Sequence, residues 1–559
     1  MEVQIKDKAY IKDNLAQKTA ALEESIKKEE VSPAPSQHSL SEKIKQKTIH
    51  FLKNKYNLAF LVVLFLAFLI RMKYIGQESI WNDSAVHLWY AIKVTREPLF
   101  FFSKLYLFTD DYFTVQTLIA AIYLFTKNIF LSGQIVAMLF GLVGVTFMYL
   151  LGSELKDKTT GVIAAALLGF NHLFWFYGVR ILADAPLVTM VTIFLYCVVK
   201  LNKEKTILWG VLSALSILLM LATKSQSILF FLGFLLYLII FKRKDAIAER
   251  GLLISWLIPI GLMILANFIF KQNIFFDLLN VFFASPQGLQ DPGLKALSHF
   301  IWIFSWYLLL PAIIGVILIV AYKEKKYYPA IVFFIVYWLG FEIGVRTPED
   351  RYILPLLPLI ILFSTFALVE ISNYVVMLIK NKRLAGYFKK GVLMIFVVFV
   401  CWNFYTIGDS LIKAKSTTYT GYQEAGEWLK VNALGETPIF AGSPRTMRAL
   451  VGREYGGPGS FWDMGGSLWY LRAGEYKDNR SLFESDITIL ARKSDIYLEI
   501  DVWEYTQPTW YFPISQASID YFMSLGFQLV KVIEREVDTQ KGLQKIPVIF
   551  IFKKEKVNS

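Results

Sequence analysis

Phe113–Thr126 reads FTVQTLIAAIYLFT, predominantly apolar but short for a membrane crossing, which takes ~20 helical residues. The topology turns on it. If it crosses, the basic turns at Lys200/Lys203/Lys205, Lys242/Arg243/Lys244, Lys323/Lys325/Lys326 and Lys380/Lys382/Arg383 all face outward; if it lies along the interface, all four face the cytoplasm. Short loops rich in Lys and Arg stay inside, so the stretch is expected at the interface.

Outward from it stand the long apolar runs, among them Ile207–Leu221, Leu252–Phe270, Ile301–Tyr322 and Tyr352–Val369. They predict about eleven spans, near 57–72, 131–151, 160–178, 186–200, 207–222, 227–241, 252–270, 301–321, 328–345, 353–379 and 390–407. The expected fold is mostly α: a polytopic membrane region at 56–409, with a first outer loop at 73–127. An odd count puts the N-terminus inside and the C-terminal region outside. The chain is thus placed in the cell membrane.

Composition agrees. The chain has 559 residues, 55% hydrophobic, 16% aromatic and only 18% charged. The net charge of +13 resides mainly in the short loops between apolar runs, which explains it by topology and argues against nucleic acid as a partner. Only two cysteines, Cys197 and Cys401, occur, both within predicted spans. That excludes a disulfide framework, and no Cys/His cluster has structural-zinc spacing. Residues 1–55 are polar, with Lys/Glu runs, and read as a disordered or partly helical cytoplasmic tail rather than a signal peptide.

Beyond Asp409 no run is long enough to cross. Residues 410–559 alternate helical and strand patterns: helices at Tyr422–Val431 and Ser515–Leu525, strands at Pro438–Ala441, Asp495–Ile500, Gln528–Ile533 and Pro547–Phe552. This predicts an extracytoplasmic α/β domain, interrupted by a Gly-rich segment at Arg453–Gly466.

The chemistry is expected on the outer face. Trp81–Tyr90 (WNDSAVHLWY) follows the first span and sets Asp83, His87 and Tyr90 at helical spacing, with Trp81, Leu88 and Trp89 free to enter the headgroup layer. Asp110 and Asp111 precede the interfacial stretch, where either also suits a helix cap. Arg180, a candidate for the donor phosphate, and Asp184, a supporting acid like Asp110 and Asp111, share the turn between the third and fourth spans. Charges kept at membrane depth usually mark a site. Arg346 and Arg351, in RTPEDRYILPLLP at 346–358, suit a lipid-linked phosphate, or plain snorkelling at a span end. Asp83, Asp110 and Asp111 are oxygen ligands fit for a divalent cation if they meet.

Three of these features resemble the GT-C glycosyltransferases, particularly the branch of protein O-mannosyltransferases and aminoarabinose transferases. They are the acid soon after the first span (Asp83), the Arg-x-x-x-Asp-x-Pro turn (Arg180, Asp184, Pro186) and the Arg-Tyr-x-Leu-Pro-x-x-Pro entry to a late span (Arg351 to Pro358). The likeness covers roughly residues 55–405. It implies a polyprenyl-phosphate sugar as donor, inversion at the anomeric carbon, and a protein, lipid or glycan acceptor, with Asp83 as general base. Where that family commonly has Asp-Glu, this chain has Asp83-Ser84, so a second adjacent acid has no counterpart.

The residue types fit such a reaction. A carboxylate within hydrogen-bond reach takes the acceptor's proton, an interface is expected to raise its pKa into the useful range, and Arg346 or Arg351 stabilises the departing phosphate. A second resemblance is to oligosaccharyltransferases: Phe461-Trp462-Asp463-Met464-Gly465 is similar to their Trp-Trp-Asp-x-Gly signature, with Phe for the first Trp. A transporter or flippase is also polytopic, but places polar groups on broken helices at the midplane, whereas these spans read as uninterrupted and their acids lie at one face. A non-catalytic scaffold for the outer domain leaves those acids unexplained.

Overall fold

Within a bilayer each backbone amide must be satisfied inside its own segment, so the apolar runs fold as helices. The computed structural model of the chain describes residues 52–77, 79–97, 113–270, 295–344, 349–379, 382–416, 418–456, 466–471, 479–503, 515–539 and 542–557. By compactness the chain divides at Leu58/Ala59. Of the first unit only residues 52–58 are described, helical apart from Asn54; apart from the first residues of α1, all that follows concerns the second.

The helices in chain order are α1 (Lys55–Met72), α2 (Asn82–Arg96), α3 (Phe113–Thr126), α4 (Ile129–Leu155), α5 (Lys158–Phe170), α6 (His172–Gly178), α7 (Asp184–Glu204), α8 (Ile207–Leu221), α9 (Ile228–Phe241), α10 (Arg250–Phe270), α11 (Lys295–Ala321), α12 (Tyr328–Gly344), α13 (Leu357–Leu378, after a helical turn at Asp350–Ile353) and α14 (Lys382–Ser416). Within the described residues every expected span coincides with helix, apart from the breaks given below. Among the described residues eight helices are long and apolar enough to cross a membrane, or nine if the bent pair α5/α6 counts as one span. α8 and α9 fall short of that length, which is where the number departs from about eleven. This array of apolar helices makes the chain a multi-pass membrane protein. The interfacial candidate Phe113–Thr126 is a helix too short to count as a span.

Two spans are not the uninterrupted helices expected. α5 and α6 bend by 59° at Asn171, and α11 is kinked at Ser305, whose φ of 58° lies outside helical geometry. A break strands carbonyls on one side and amides on the other. Here Asn171 Oδ1 accepts from the amides of Leu173 and Phe174 at 3.1 and 3.0 Å. Across the break the buried guanidinium of Arg71 donates from Nη1 to the carbonyls of Gly169 and Ala67 at 3.1 and 3.0 Å. A cation at the end of α5 also suits the negative pole of the helix dipole.

The helices pack through small residues, as membrane helices do. A Cβ at Gly152 on α4 would meet the Gly161 Cα of α5 at 2.9 Å, and one at Gly315 on α11 would collide with the Phe363 carbonyl oxygen of α13.

After α14 come α15 (Tyr422–Asn432), β1 (Ile439–Ala441), β2 (Tyr455–Gly456), β3 (Leu468–Tyr470), α16 (Arg480–Ala491), β4 (Ile496–Asp501), α17 (Gln516–Ser524), β5 (Gln528–Thr539) and β6 (Gly542–Lys554). The strands form one sheet, β2-β3-β1-β4-β6-β5, with β2, β3, β1 and β4 parallel and β6 and β5 antiparallel. Ile439 and Ala441 face a core with α15, whereas Phe440 faces a second core with α16 and α17. All of β4 is buried, as a strand covered on both faces should be. Helix α16 is absent from the sequence expectation although it is longer than α15 and α17; the strands β2 and β3, of two and three residues, are too short for periodicity to announce.

Candidate active site

The turn after α1 leads into α2, which begins at Asn82 without a side-chain cap and carries Asp83 in its first turn. A carboxylate there suits the positive end of the helix dipole. Asp83 Oδ2 accepts from Arg351 Nη1 at 2.7 Å, and Arg351 also pairs with Glu349 at 2.5 Å. The helical turn Asp350–Ile353 therefore brings its guanidinium back to α2. Next to Arg351, Asp350 Oδ1 lies 2.6 Å from His299 Nδ1, near the start of α11.

Beside this pair is a second, fully enclosed one. Asp184 at the first position of α7 accepts from Lys224 Nζ at 2.7 Å, with side chains only 3% and 8% exposed. The Lys224 ammonium also lies 5.0 Å from the Tyr352 ring centroid. Tyr337 ties the floor together: its hydroxyl is 2.8 Å from Gln226 Oε1 and 2.6 Å from the Tyr352 carbonyl.

Arg180 is buried, not open to a ligand from solvent. Its Nη1 donates to the Phe176 carbonyl at 2.7 Å, and the guanidinium stands 3.6 Å from the Phe176 ring centroid and 4.7 Å from that of Trp81. His87 and Tyr90 are buried on α2. Arg346, Asp110, Asp111, Trp462 and Asp463 lie outside the described residues. So, of the residues singled out from sequence, the structure joins Asp83 to Arg351 directly and gives Asp184 a partner of its own.

Two expectations are corrected. Leu88 and Trp89 do not reach a headgroup layer: both are enclosed in the protein core, because α2 packs against α3 and the C-terminal region. Nor is the Asp83 carboxyl raised. Burial pushes it up, but the hydrogen bond and charge of Arg351, aided by the fields of His87 and Arg445, outweigh burial and hold it below the usual carboxylate range. Burial lowers the His87 imidazole to about 4 against the opposing fields of Asp83 and Asp184, with Lys224 adding to the lowering. This histidine is neutral at pH 7.

Lys224 escaped the sequence reading, although it had a signal. Its segment TKSQS joins two apolar runs at the end opposite the lysine-rich turns, so a lone cation there departs from the topological pattern. The His299–Asp350 contact had no comparable signal, since its partners are 51 residues apart.

Among the described residues no three His, Cys, Asp or Glu side chains come together as metal ligands. Asp83, one of the acids considered for a cation, is engaged by a guanidinium. Chemically the cluster offers an ionised carboxylate, a guanidinium exchangeable between that carboxylate and an incoming anion, and a buried ion pair behind them.

Residues 113–270 match the family model described as dolichyl-phosphate-mannose-protein mannosyltransferase. No curated protein matches the chain by sequence. Among solved structures, ArnT from Cupriavidus metallidurans in the apo state superposes with a TM-score of 0.53 at 13% identity, covering 88% of this chain and 97% of that one. ArnT bound to undecaprenyl phosphate gives 0.51 at 14% identity over the same shares. The archaeal oligosaccharyltransferase AglB from Archaeoglobus fulgidus, in complex with an inhibitory peptide and a dolichol-phosphate, gives 0.53 at 12% identity, covering 87% of this chain and 74% of that one. The chain therefore has the GT-C fold seen in ArnT and AglB, and within it residues 113–270 match the family model described as dolichyl-phosphate-mannose-protein mannosyltransferase.

Proposed function

We propose that the chain is a membrane glycosyltransferase that moves a hexose from a polyprenyl-phosphate donor to an acceptor outside the cytoplasm, with inversion. The observation that carries this is the Asp83–Arg351 pair, which sets a carboxylate and a guanidinium of the kind that suits a phosphate 2.7 Å apart, where the first turn of α2 meets the turn before α13. The lipids named with ArnT and AglB, undecaprenyl phosphate and dolichol-phosphate, are polyprenyl phosphates, the carrier part of the proposed donor, and an arginine suits such a phosphate. Mannose is the sugar named by the matching family model.

In the proposed reaction the donor phosphate engages Arg351 and loosens its hold on Asp83. The carboxylate is then a stronger base, because burial is no longer outweighed. The acceptor hydroxyl oxygen attacks the anomeric carbon as Asp83 takes its proton. The anomeric C–O bond to phosphate breaks, and its electron pair leaves with the polyprenyl phosphate, whose charge Arg351 stabilises. Arg346, outside the described residues, would add a second cation. Asp184 is assigned to holding Lys224, and Arg180 to supporting Trp81 at the start of α2.

The N-terminus is placed in the cytoplasm of a cell-membrane protein, and residues 410–559 are placed outside as the acceptor-facing domain, following the basic-loop bias. A second reading, oligosaccharide transfer, has the AglB fold likeness in its favour; its motif at 461–465 lies outside the described residues.

The test is sugar transfer in membranes from a radiolabelled polyprenyl-phosphate hexose, comparing wild type with Asp83→Asn at equal expression. The reading expects transfer by the wild type and a loss of about a hundredfold or more in the variant. Undiminished activity of Asp83→Asn removes Asp83 as the base. A wild type that uses only lipid-linked oligosaccharide favours the second reading, and one that uses neither donor overturns both.

A further inference from the structure

Helix α2 has a second working face. Asp83, His87 and Tyr90 line one side, whereas Trp89, Lys93 and Arg96 recur at i, i+4 and i+7 on another. That second face meets the C-terminal region. Lys93 Nζ is 3.0 Å from Glu454 Oε1, and the other oxygen of Glu454 binds Arg448 Nη2. The Arg448 guanidinium stands 4.4 Å from the Trp89 ring centroid, an approach favourable to a cation over an aromatic face. Arg96 Nη1 donates to the Gly452 carbonyl at 3.2 Å. Lys93 and Arg448 are 13% and 11% exposed and Glu454 28%, so the two ion pairs are partly shielded from solvent and salt, whereas the Arg96 contact lies at the surface.

Glu454 is the keystone. Both cations address its carboxylate, one at each oxygen, and loss of its charge would remove the group that holds Lys93 and Arg448 together beside Trp89. The same stretch of chain, through the turn Pro444–Met447, brings the exposed Arg445 into the electrostatic reach of Asp83. The C-terminal region thus holds the far half of the helix whose first turn bears the Asp83 carboxylate.

We propose that Trp89, Lys93, Arg448 and Glu454 form a positioning clamp through which the C-terminal region holds α2 and sets the Asp83–Arg351 geometry. These residues act through Asp83 and do not touch substrate. The part of the inference that concerns catalysis rests on the glycosyltransferase reading above; the clamp itself does not. Its consequence is that a docked C-terminal region is a condition for transfer.

The experiment uses the full chain in detergent or nanodiscs, with Glu454→Gln as the principal variant. Hydrogen–deuterium exchange of the peptide covering residues 86–96 is the measurement that needs no activity. Faster exchange there, with exchange in β4 and β6 unchanged, supports the clamp, and unchanged exchange overturns it. In the transfer assay Glu454→Gln should lower kcat about tenfold, as displacement of a reacting group does. The donor KM should stay within about twofold of wild type, and the acid limb of the pH profile should move to higher pH as Arg351 loses its hold on Asp83. Unchanged kcat and an unmoved limb overturn the catalytic part.

Arg448→Lys and Arg448→Met provide the rescue comparison. Lysine preserves the cation that Glu454 needs and should keep more of the wild-type kcat than methionine; equal losses count against the clamp. If the wild type transfers no sugar, the functional reading is what fails, and exchange alone decides the clamp.

Discussion

Arg351 and Asp83, 268 residues apart in the chain, meet at 2.7 Å. One lies in the turn that opens α13, the other in the first turn of α2. Because the guanidinium offers five donors in a fixed fork, it can hold Glu349 as well and still turn toward an anion entering the site. The pair accordingly keeps the carboxylate ionised while no phosphate is present. It also links donor binding to the basicity of Asp83.

Arg351→Met should therefore move the acid limb of kcat/KM to higher pH. Burial acts on Asp83 in the upward direction, and Arg351 is the largest opposing influence. The donor KM should rise on the order of tenfold to a hundredfold, the value of a hydrogen bond to a charged group, with Arg351→Lys in between. For stability the sign is also fixed. A carboxyl lowered in the folded state contributes above its unfolded pKa and loses that contribution as pH falls through the folded value. An acid limb that stays put in Arg351→Met would separate Asp83 from the profile altogether.

The Asp184–Lys224 pair makes a different prediction. Both side chains are enclosed, so Asp184→Asn or Lys224→Met alone strands a buried charge, at a cost of about 3–5 kcal/mol. The double variant should be less destabilised than either single one. Thermal unfolding in detergent measures all three, and strictly additive losses would show that the two groups are not coupled.

A third prediction concerns the wholly buried Glu499 and Asp501 on β4. Gly442 N donates to Glu499 Oε2 at 3.1 Å, and the Ser443 hydroxyl to Asp501 Oδ2 at 2.8 Å. Burial first, then the negative field of Asp501, pushes the Glu499 carboxyl well above its usual range. The folded state thus holds a proton that the unfolded chain releases. Stability is fully present below the ordinary glutamate pKa and declines as pH rises toward the folded value. Glu499→Gln should flatten that decline in unfolding followed by near-ultraviolet circular dichroism, with Trp503 as reporter beside Asp501. A decline equally steep in the variant would assign it to other groups.

Gly315→Ala tests the helix packing. The new methyl would meet the Phe363 backbone carbonyl, and backbone cannot yield as a flexible side-chain tip does. Overpacking of this kind costs about 1–3 kcal/mol. Because α11 and the stretch opening α13 carry His299 and Arg351, a loss of transfer beyond the loss of folded protein is expected. A melting temperature equal to wild type would mean that the helices separate without strain.

The sequence by itself determined the mostly helical membrane fold, because insertion depends on the local density of apolar groups along the chain. Runs such as Leu252–Phe270 and Ile301–Tyr322 declare themselves without reference to anything distant. It likewise marked α15, α17, β1, β4, β5 and β6 by their local patterns, and it placed Asp83 soon after the first span. Tertiary structure alone decided which charges meet. Arg351 finds Asp83 and Lys224 finds Asp184 only once separate helices pack, and that pairing sets the direction in which Asp83 titrates, opposite to the one its interfacial position had suggested. The break at Asn171 is of the same kind. An apolar run does not reveal that Arg71, from another helix, reaches the Gly169 carbonyl that the bend strands.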